Sequence, residues 1–546
     1  MGKIILHDKD TQDSILEGAR KLAKAVAVTM GPRGKNVVLG KFIGAPVITK
    51  DGVSVAREIV LRDPVENLVA QLIKEAAGRT ADIAGDGTTT ATVLTEEIIK
   101  RGKELIASGY SPLDFRNGIN LTLELLLVEI DKLTRKVSSD SDLQNIATIS
   151  ANNDPVLGSK IAEAFSYAGI DGTVIAEANP GSETYVKKSK GVEFKSGFVT
   201  PAFLSQGQTE INIENCYIMI VNREMSHFSD CIKIFTEIHN KNIPVLVLAK
   251  SIQKEALATL VENNRLGRIK AVAVNIGSHF PNEDSLENLA ILTGATIAGE
   301  GNAKPISEIT IDDLGFCKMV SVNKYNTKLI EGRVDEEKLK NKMTIYNYDL
   351  QKLLSETDRK NVKRKMSFLN SKAAIVSVGY STELELREKS DRVDDSLHAT
   401  RAALESGIVA GGGVTLVKAC QNLDMSNIPK KLVKAAEVLI ESCNRPITQI
   451  LLNADLDPKI IISKINSSKE HFYGYNVVTE SYGDMFEQGI VDPAKVTKSA
   501  VTNATSIALL LINTETIISE DPDKPTGWQP PAGWRPPDEN SLNHKY

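Results

Sequence analysis

At 546 residues, with 42% apolar and 25% charged side chains, the chain has the composition of a soluble globular protein large enough for two to four domains. Its formal net charge of -5 excludes the strongly basic balance of a nucleic-acid or anionic-membrane binder, and no apolar run reaches transmembrane length. Five cysteines (216, 231, 317, 420, 443), odd in number and without CxxC spacing, read as reduced, mostly buried thiols of a cytoplasmic protein.

In chain order, Met1 to Asp8 lacks the apolar core of a signal peptide. Residues 11–29 predict a helix with Ile15, Ala19, Leu22 and Val26 on one stripe, ended by Gly31-Pro32. A short strand, Asn36 to Leu39, and a strand and turn carrying Ile48 to Gly52 follow, then helices over 64–82, 88–109 and 121–133. The second of these begins on Gly85-Asp86-Gly87-Thr88-Thr89-Thr90. Two glycines let the backbone approach a ligand, and the exposed N–H groups of a helix start attract anions. Asp86 alone would repel a phosphate, a conflict that a divalent cation between the two resolves. The same residues equally make an ordinary N-cap.

Beyond residue 133 the texture changes. A helix after Asp154-Pro155 leads to a strand near 172–175, and from about 190 to 330 short apolar strands (217–221, 245–249, 271–274) alternate with helices. Uniformly apolar strands of this length belong to an α/β layer covered on both faces. Residues 334–368 predict one or two solvated helices. A helical pattern returns near 382, passes the glycine run 411–413 and continues almost to 517. The order helical, mixed, α/β, mixed, helical is that of a domain inserted between two halves of a discontinuous one. Residues 521–537 hold six prolines and, as Gly-Trp-x-Pro-Pro twice, both tryptophans of the chain; such a run favours polyproline II and builds no core. It is either a flexible terminus or a pair of indoles presented to a partner.

On the helix through Arg392-Val393-Asp394-Asp395, the apolar stripe is Val393, Leu397 and Leu404, with the methyl-bearing Thr400 among them. Asp395 lies about 180° from its middle, so its carboxylate is expected to face solvent or a cleft. It is either an ordinary surface acid paired with Arg392 or a group able to orient water. Helices over 229–240 and 253–263 carry apolar arcs of about 160° (Ile232, Ile234, Phe235, Ile238) and about 140° (Ala256, Leu257, Leu260, Val261). Such arcs are either broadly buried or, in part, an exposed binding surface.

Gly85 to Thr90, together with Thr29-Met30-Gly31-Pro32-Arg33-Gly34, Ile48-Thr49-Lys50-Asp51-Gly52-Val53-Ser54-Val55-Ala56 and Ala410-Gly411-Gly412-Gly413, resembles the group I chaperonins, the GroEL class of sixty-kilodalton heat-shock proteins. The blocks stay in register from about residue 3 to 518. The resemblance implies a multi-domain α plus α/β fold, the chaperonin fold. Its parts would be a helical equatorial ATP-binding domain (1–132 and 406–520), a small α/β intermediate domain (133–189 and 374–405), an inserted α/β apical domain (190–373) and the tail 521–546.

It further implies an ATPase that encloses non-native proteins in a homo-oligomeric, seven-membered ring, single or double, with a co-chaperonin as a further partner. No nucleic acid or membrane is implied. By resemblance Asp395 is the catalytic aspartate and Asp51 a second acid near the γ-phosphate. ATP would be lined by Thr29, Met30, Gly31, Pro32, Lys50, Asp86, Gly87, Thr88, Thr89, Thr90, Gly412, Asn476, Val477, Val478 and Asp492. Asp86 would hold Mg2+, with Thr29, Lys50 and Thr89 around K+. Clients and the co-chaperonin would meet Phe198, Phe203, Ile232, Phe235, Leu257, Val261 and position 262.

Departures stand out. Glu262 replaces an apolar groove residue and Ala202 an aromatic. Ser371-Lys372 replaces a hinge glycine pair while Gly191 survives, and Thr448 stands where an arginine would pair with Asp457 across rings. They leave as an alternative to the client-enclosing chaperonin a specialised or phage-type one, single-ringed for at least part of its cycle and acting without a standard co-chaperonin. A non-cycling binding protein on the same fold and a small-molecule kinase are the readings from other classes.

Overall fold

The computed structural model describes residues 3–520 apart from 41–45, 85, 170–171, 182, 206–207, 281, 302 and 353–354, so the proline- and tryptophan-rich tail and Gly85 lie outside the described residues. The chain divides into two compact units, residues 1–138 with 402–546, and residues 139–401.

The first unit begins with β1 (Lys3–His7), α1 (Asp8–Ala27), β2 (Val37–Leu39), β3 (Val47–Thr49) and α2 (Gly52–Glu58). Three long helices follow, α3 (Pro64–Ala84), α4 (Thr88–Ala107) and α5 (Pro112–Lys132). Their apolar positions recur at helical spacing and meet in one core: Ile15, Leu22 and Val26 of α1, Val69 and Ile73 of α3, Leu94 and Ile98 of α4, and Phe115, Ile119 and Leu126 of α5. Burying each large side chain contributes about 1.5–3 kcal/mol. α5 starts nine residues before the apolar run that predicted it, at a Ser111 cap followed by Pro112.

The second unit opens with α6 (Asp140–Ser150), α7 (Pro155–Ala168), β4 (Thr173–Pro180), β5 (Tyr185–Phe194), β6 (Glu210–Met225), α8 (Ile232–Lys241), β7 (Pro244–Ile252), α9 (Lys254–Arg265) and β8 (Lys270–Asn275). It goes on through α10 (Glu283–Thr293), β9 (Ile297–Ala298), β10 (Gly315–Asn323), β11 (Thr327–Gly332), α11 (Glu336–Lys352), α12 (Glu356–Leu369), β12 (Lys372–Tyr380) and most of α13 (Glu383–Ser406). One mixed sheet runs β4-β12-β5-β11-β10-β6-β7-β8, with β9 against β6. β6, β7 and β8 are parallel, and their paired central stretches Ile218–Val221, Val245–Ala249 and Ala271–Val274 are apolar, as helices on the crossovers require. The boundaries expected at 189/190 and 373/374 fall inside β5 and β12. Ala373 pairs with Ser189 across the expected boundary, between Lys372 with Lys190 on one side and Ala374 with Lys188 on the other, so the two expected domains share one hydrogen-bonded sheet.

The chain then returns to the first unit with β13 (Ile408–Ala410), α14 (Val414–Asn422), α15 (Val433–Ser442), α16 (Arg445–Asn453) and α17 (Pro458–Ser467). β14 (Tyr473–Asn476), β15 (Ser481–Asp484), β16 (Val491–Pro493), α18 (Ala494–Ile512) and β17 (Thr516–Glu520) complete it. The uninterrupted helical pattern expected to 517 is therefore broken by a hairpin, β14 against β15, and by β16, which pairs with β13. β17 zips antiparallel onto β1.

Candidate nucleotide site and client surface

Four stretches predicted from sequence come together in the first unit. α1 ends at Ala27, and the Thr29 hydroxyl donates back to the Val26 carbonyl at 2.9 Å. Gly31 takes a left-handed φ of 81°, and Gly34 N–H and Lys35 N–H close the loop onto Gly31 O (2.9 Å) and Val28 O (2.7 Å). From the other side Asn453 Nδ2 donates to both Ala27 O and Met30 O at 2.8 Å. Asp51 caps α2, its two oxygens accepting from Val53 N–H (3.0 Å) and Ser54 N–H (2.7 Å). Beside it, Gly52 leaves room for two hydroxyls: a Cβ there would stand 2.0 Å from Thr89 Oγ1 and 3.3 Å from Thr29 Oγ1. Thr29, Gly52 and Thr89 thus meet at one spot. Pro32 is half-buried in the same loop, while Lys50 is exposed.

Asp86 accepts from Gly87 N–H, and Gly87 turns the chain into α4 with φ 96°. Thr88 is buried, its hydroxyl directed at Ala77 O (3.4 Å), so it braces α3 against α4 and only its backbone is available to a ligand. Thr89 and Thr90 stay half-buried.

Gly411 backs onto Asp492, whose Oδ1 would lie 3.2 Å from a Cβ at that glycine, and Gly412 follows with φ 63°. Asn476 forms an Asx turn, accepting from Val478 N–H (2.9 Å) and Thr479 N–H (3.2 Å). Val477 is buried in the core around Ile447 and Leu451, and Val478 is exposed. Arg33 ties the two edges together through Glu480 at 2.8 Å.

The electrostatics follow from crowding of acids. Solvent still reaches Asp86, yet protein surrounds it: burial raises its pKa, the Gly87 hydrogen bond opposes that, and the nearby Asp51 charge adds to it. Burial pushes Asp492 up to about 7, with Asp86 adding to the rise. Among the described residues no three His, Cys, Asp or Glu side chains form a ready-made cage. The donor set therefore fits Mg2+, which takes one or two carboxylates and completes its shell with water and phosphate oxygens, and does not fit a cation that needs an all-protein cage.

In the second unit Asp395 is half-buried rather than opposite the buried face of α13. That face is broader than the predicted stripe, because Ser396 and Ala399 are also buried and Ser396 Oγ donates to Ala147 O at 2.8 Å. Small residues with internal hydrogen bonds are invisible to an apolar count. Arg392 reaches Asp154, with 3.9 Å between Nη1 and Oδ2.

The solvent side of α13 carries Asp394 and His398. Protein packed around the exposed side chains partly desolvates them, pushing Asp394 up to about 7, helped by Glu210, and pulling His398 down to about 4, helped by Lys328. Both side chains keep solvent contact, so the signs and not the sizes carry the consequence. A raised Asp394 adds stability as pH falls from about 7 towards 4, and a depressed His398 removes stability as pH falls from about 6.5 to 4. The two slopes oppose each other. In urea titrations across pH 4–7, Asp394→Asn is expected to lose stability on acidification and His398→Gln to gain it, relative to the parent; parallel profiles would remove the pair from the account.

The client surface departs most from expectation. Phe198, Phe203 and Phe235 are 8%, 6% and 4% exposed and belong to the sheet's own core, and Phe235 packs on Phe228 with ring centroids 5.0 Å apart. Leu257 and Val261 are half-buried against the same core. The arcs on α8 and α9 face their own sheet because β6, β7 and β8 need cover. Of the expected contacts only Ile232 (55% exposed) and Glu262 stand clear, and Glu262 is held by both nitrogens of Arg265 at 2.8–2.9 Å. Asn453 and Glu480, which frame the nucleotide loop, carry no signal in the sequence beyond being polar residues near helix and turn ends.

A family model described as the TCP-1/cpn60 chaperonin family matches residues 22–522. Among solved structures, the chain is similar to the chaperonin gp146 from bacteriophage EL 2 (Pseudomonas aeruginosa), crystallised in the presence of ATP-BeFx, with a TM-score of 0.69 and 22% identity over 95% of this chain and 99% of that one. No helix among the described residues is long and apolar enough to cross a membrane.

Proposed function

Since the chain belongs to the TCP-1/cpn60 chaperonin family, we propose that it is an ATP-driven chaperonin that captures non-native protein on its second unit and hydrolyses ATP bound to its first. The observation that carries this reading is the meeting of Thr29, Gly52 and Thr89 beside the acids Asp51, Asp86 and Asp492. In it, the 29–34 loop and the start of α4 turn backbone N–H groups towards the phosphates. Asp86 holds Mg2+ against them, and Mg2+ neutralises charge on the phosphate oxygens. Oxygens of Thr29, Lys50 and Thr89 suit K+, a second oxygen-loving cation. Gly412, Asn476 and Val478 border the nucleoside.

Asp395 is the base that orients water. It belongs to the compact unit that lacks the phosphate loops, so hydrolysis depends on both units. That dependence is what converts a nucleotide into a switch. The division into equatorial, intermediate and apical domains belongs to the same proposal, the last two moving with or across their shared sheet. A steady-state ATPase assay with and without Mg2+, K+ and an unfolded client tests the reading, together with electron micrographs. No hydrolysis and no ring would end it.

One ring rather than two is the form we favour. Thr448 carries no charge to pair across rings, and its hydroxyl bonds Asn444 O (2.7 Å), while Asp457 caps α17 through Lys459 N–H (2.9 Å). The groove on α8 and α9 is the proposed dock for clients and for a co-chaperonin, with Ile232, Leu257 and Val261 as its apolar part. Glu262→Val is expected to raise affinity for an apolar co-chaperonin loop several-fold, because the exposed Arg265 pair it breaks is worth at most about 1 kcal/mol. Unchanged affinity in a titration would take α9 out of the dock.

A further inference from the structure

A cavity of about 340 Å³ opens in the first unit between α4 and the α15–α16 junction. Three acids, Glu96, Glu97 and Glu441, and three bases, Lys100, Arg101 and Arg445, line it. Arg101 is satisfied, bridging Glu97 at 2.6 Å and Glu441. Glu96 is not: it is 8% exposed, and its Oε2 has no hydrogen-bond partner. The Arg445 Nε faces it from 3.6 Å and Glu97 from 3.9 Å, ion-pair distances too long for a hydrogen bond, and it too has no hydrogen-bond partner. A buried polar atom left unpaired costs about 1–3 kcal/mol. Burial accordingly raises the pKa of Glu96, with Arg445 opposing.

Walls of alternating charge exclude an apolar guest. They also exclude a simple ion, since an anion would meet Glu96 and a cation would meet Arg445. We propose that this cavity binds a small dipolar ligand, with a cationic N–H group on Glu96 and a carboxylate on Arg445, and that its occupancy sets the conformation of the 29–34 loop.

The second half of the proposal rests on a chain of hydrogen bonds along one face of α16. Arg445 Nη1 donates to Gln449 Oε1 (2.9 Å), and Gln449 Nε2 donates to Asn453 Oδ1 (2.8 Å). Asn453 Nδ2 donates to Ala27 O and Met30 O (2.8 Å each). The spacing of four residues keeps all three side chains in line. A carboxylate that draws Arg445 into the cavity takes its guanidinium off Gln449, and the clamp on the loop loosens in turn. This half builds on the nucleotide reading of that loop; the binding half does not.

The test uses the full-length protein and three probes: L-arginine, which carries both groups, agmatine, which lacks the carboxylate, and pentanoate, which lacks the cation. Calorimetry without nucleotide should show L-arginine bound at least about tenfold tighter than either fragment, and Glu96→Gln should weaken it by about tenfold or more. Arg445→Gln gives the same loss from the other wall, so a folding defect in one variant leaves the other to decide.

Hydrogen exchange of residues 28–34 should rise with L-arginine in the parent and stay flat in Gln449→Met, which still binds. Nucleotide affinity should shift about three- to tenfold in the parent only. No saturable binding below about 10 mM, equal binding of a fragment, or coupling that survives Gln449→Met would overturn the proposal. A response in exchange without one in nucleotide affinity would leave the cavity standing and count against the nucleotide reading instead.

Discussion

Asp395→Ala is expected to leave ATP affinity within about twofold of the parent while lowering steady-state hydrolysis by about 10²–10⁴-fold, the range a positioned general base supplies. Such a loss corresponds to about 3–5 kcal/mol of transition-state stabilisation. The expectation depends on which of two acids is the base. Asp51 is nearer the phosphate loops in the chain, but both its oxygens are engaged in capping α2. Removing it costs about 1 kcal/mol of helix stability and frees Gly52 and the hydroxyls around it to move, so Asp51→Ala should raise KM as well as lower kcat. Asp395 lies in the unit without the phosphate loops, so its loss should fall on kcat alone. Single-turnover measurements at saturating ATP separate the two. Hydrolysis at the parent rate in Asp395→Ala would move the base to Asp51 and remove the dependence on both units.

The helices of the first unit were legible because their apolar residues repeat at helical spacing over several turns. Ile15, Leu22 and Val26 have no other arrangement that buries all three, and they are buried. The strands at 245–249 and 271–274 were legible for a related reason: runs of five or four apolar residues with no polar alternation must be covered on both sides.

The region 473–493 was not. Its strands are three or four residues long, rich in Gly, Tyr and Asn, and one of them pairs with a partner some eighty residues earlier; nothing local announces that. The client surface failed for a different reason. Periodicity says that Phe235 and Ile238 share a face but not what that face meets, and here it meets the chain's own sheet. Around the nucleotide the loops themselves could be read from glycines and threonines. The groups that hold them, Asn453 and Glu480, could not, because a polar side chain in a helix or turn carries no mark of what it reaches across the fold.

Gly34→Ala is expected to abolish nucleotide binding, by about 100-fold or more, even though a single methyl is added at a position that no ligand has to touch. A Cβ on Gly34 would stand 2.1 Å from Thr29 O, 2.5 Å from Thr29 C and 3.0 Å from Gly31 O. These are backbone atoms, so no rotamer change relieves the contact and the loop itself must open. It is pinned on both sides, by Gly34 N–H and Lys35 N–H across its neck and by Asn453 on Ala27 O and Met30 O. Opening therefore breaks hydrogen bonds as well as shape, and overpacking of this kind costs about 1–3 kcal/mol of stability.

Arg33→Ala, one residue earlier, is the control. It deletes a larger side chain, but only an exposed pair with Glu480 is lost, worth about 1 kcal/mol or less. Calorimetric titration of ATP into both proteins, with melting curves to confirm that each is folded, sets the comparison. A folded Gly34→Ala protein that binds ATP as the parent does would mean that the phosphates rest elsewhere than beside Thr29 and Thr89.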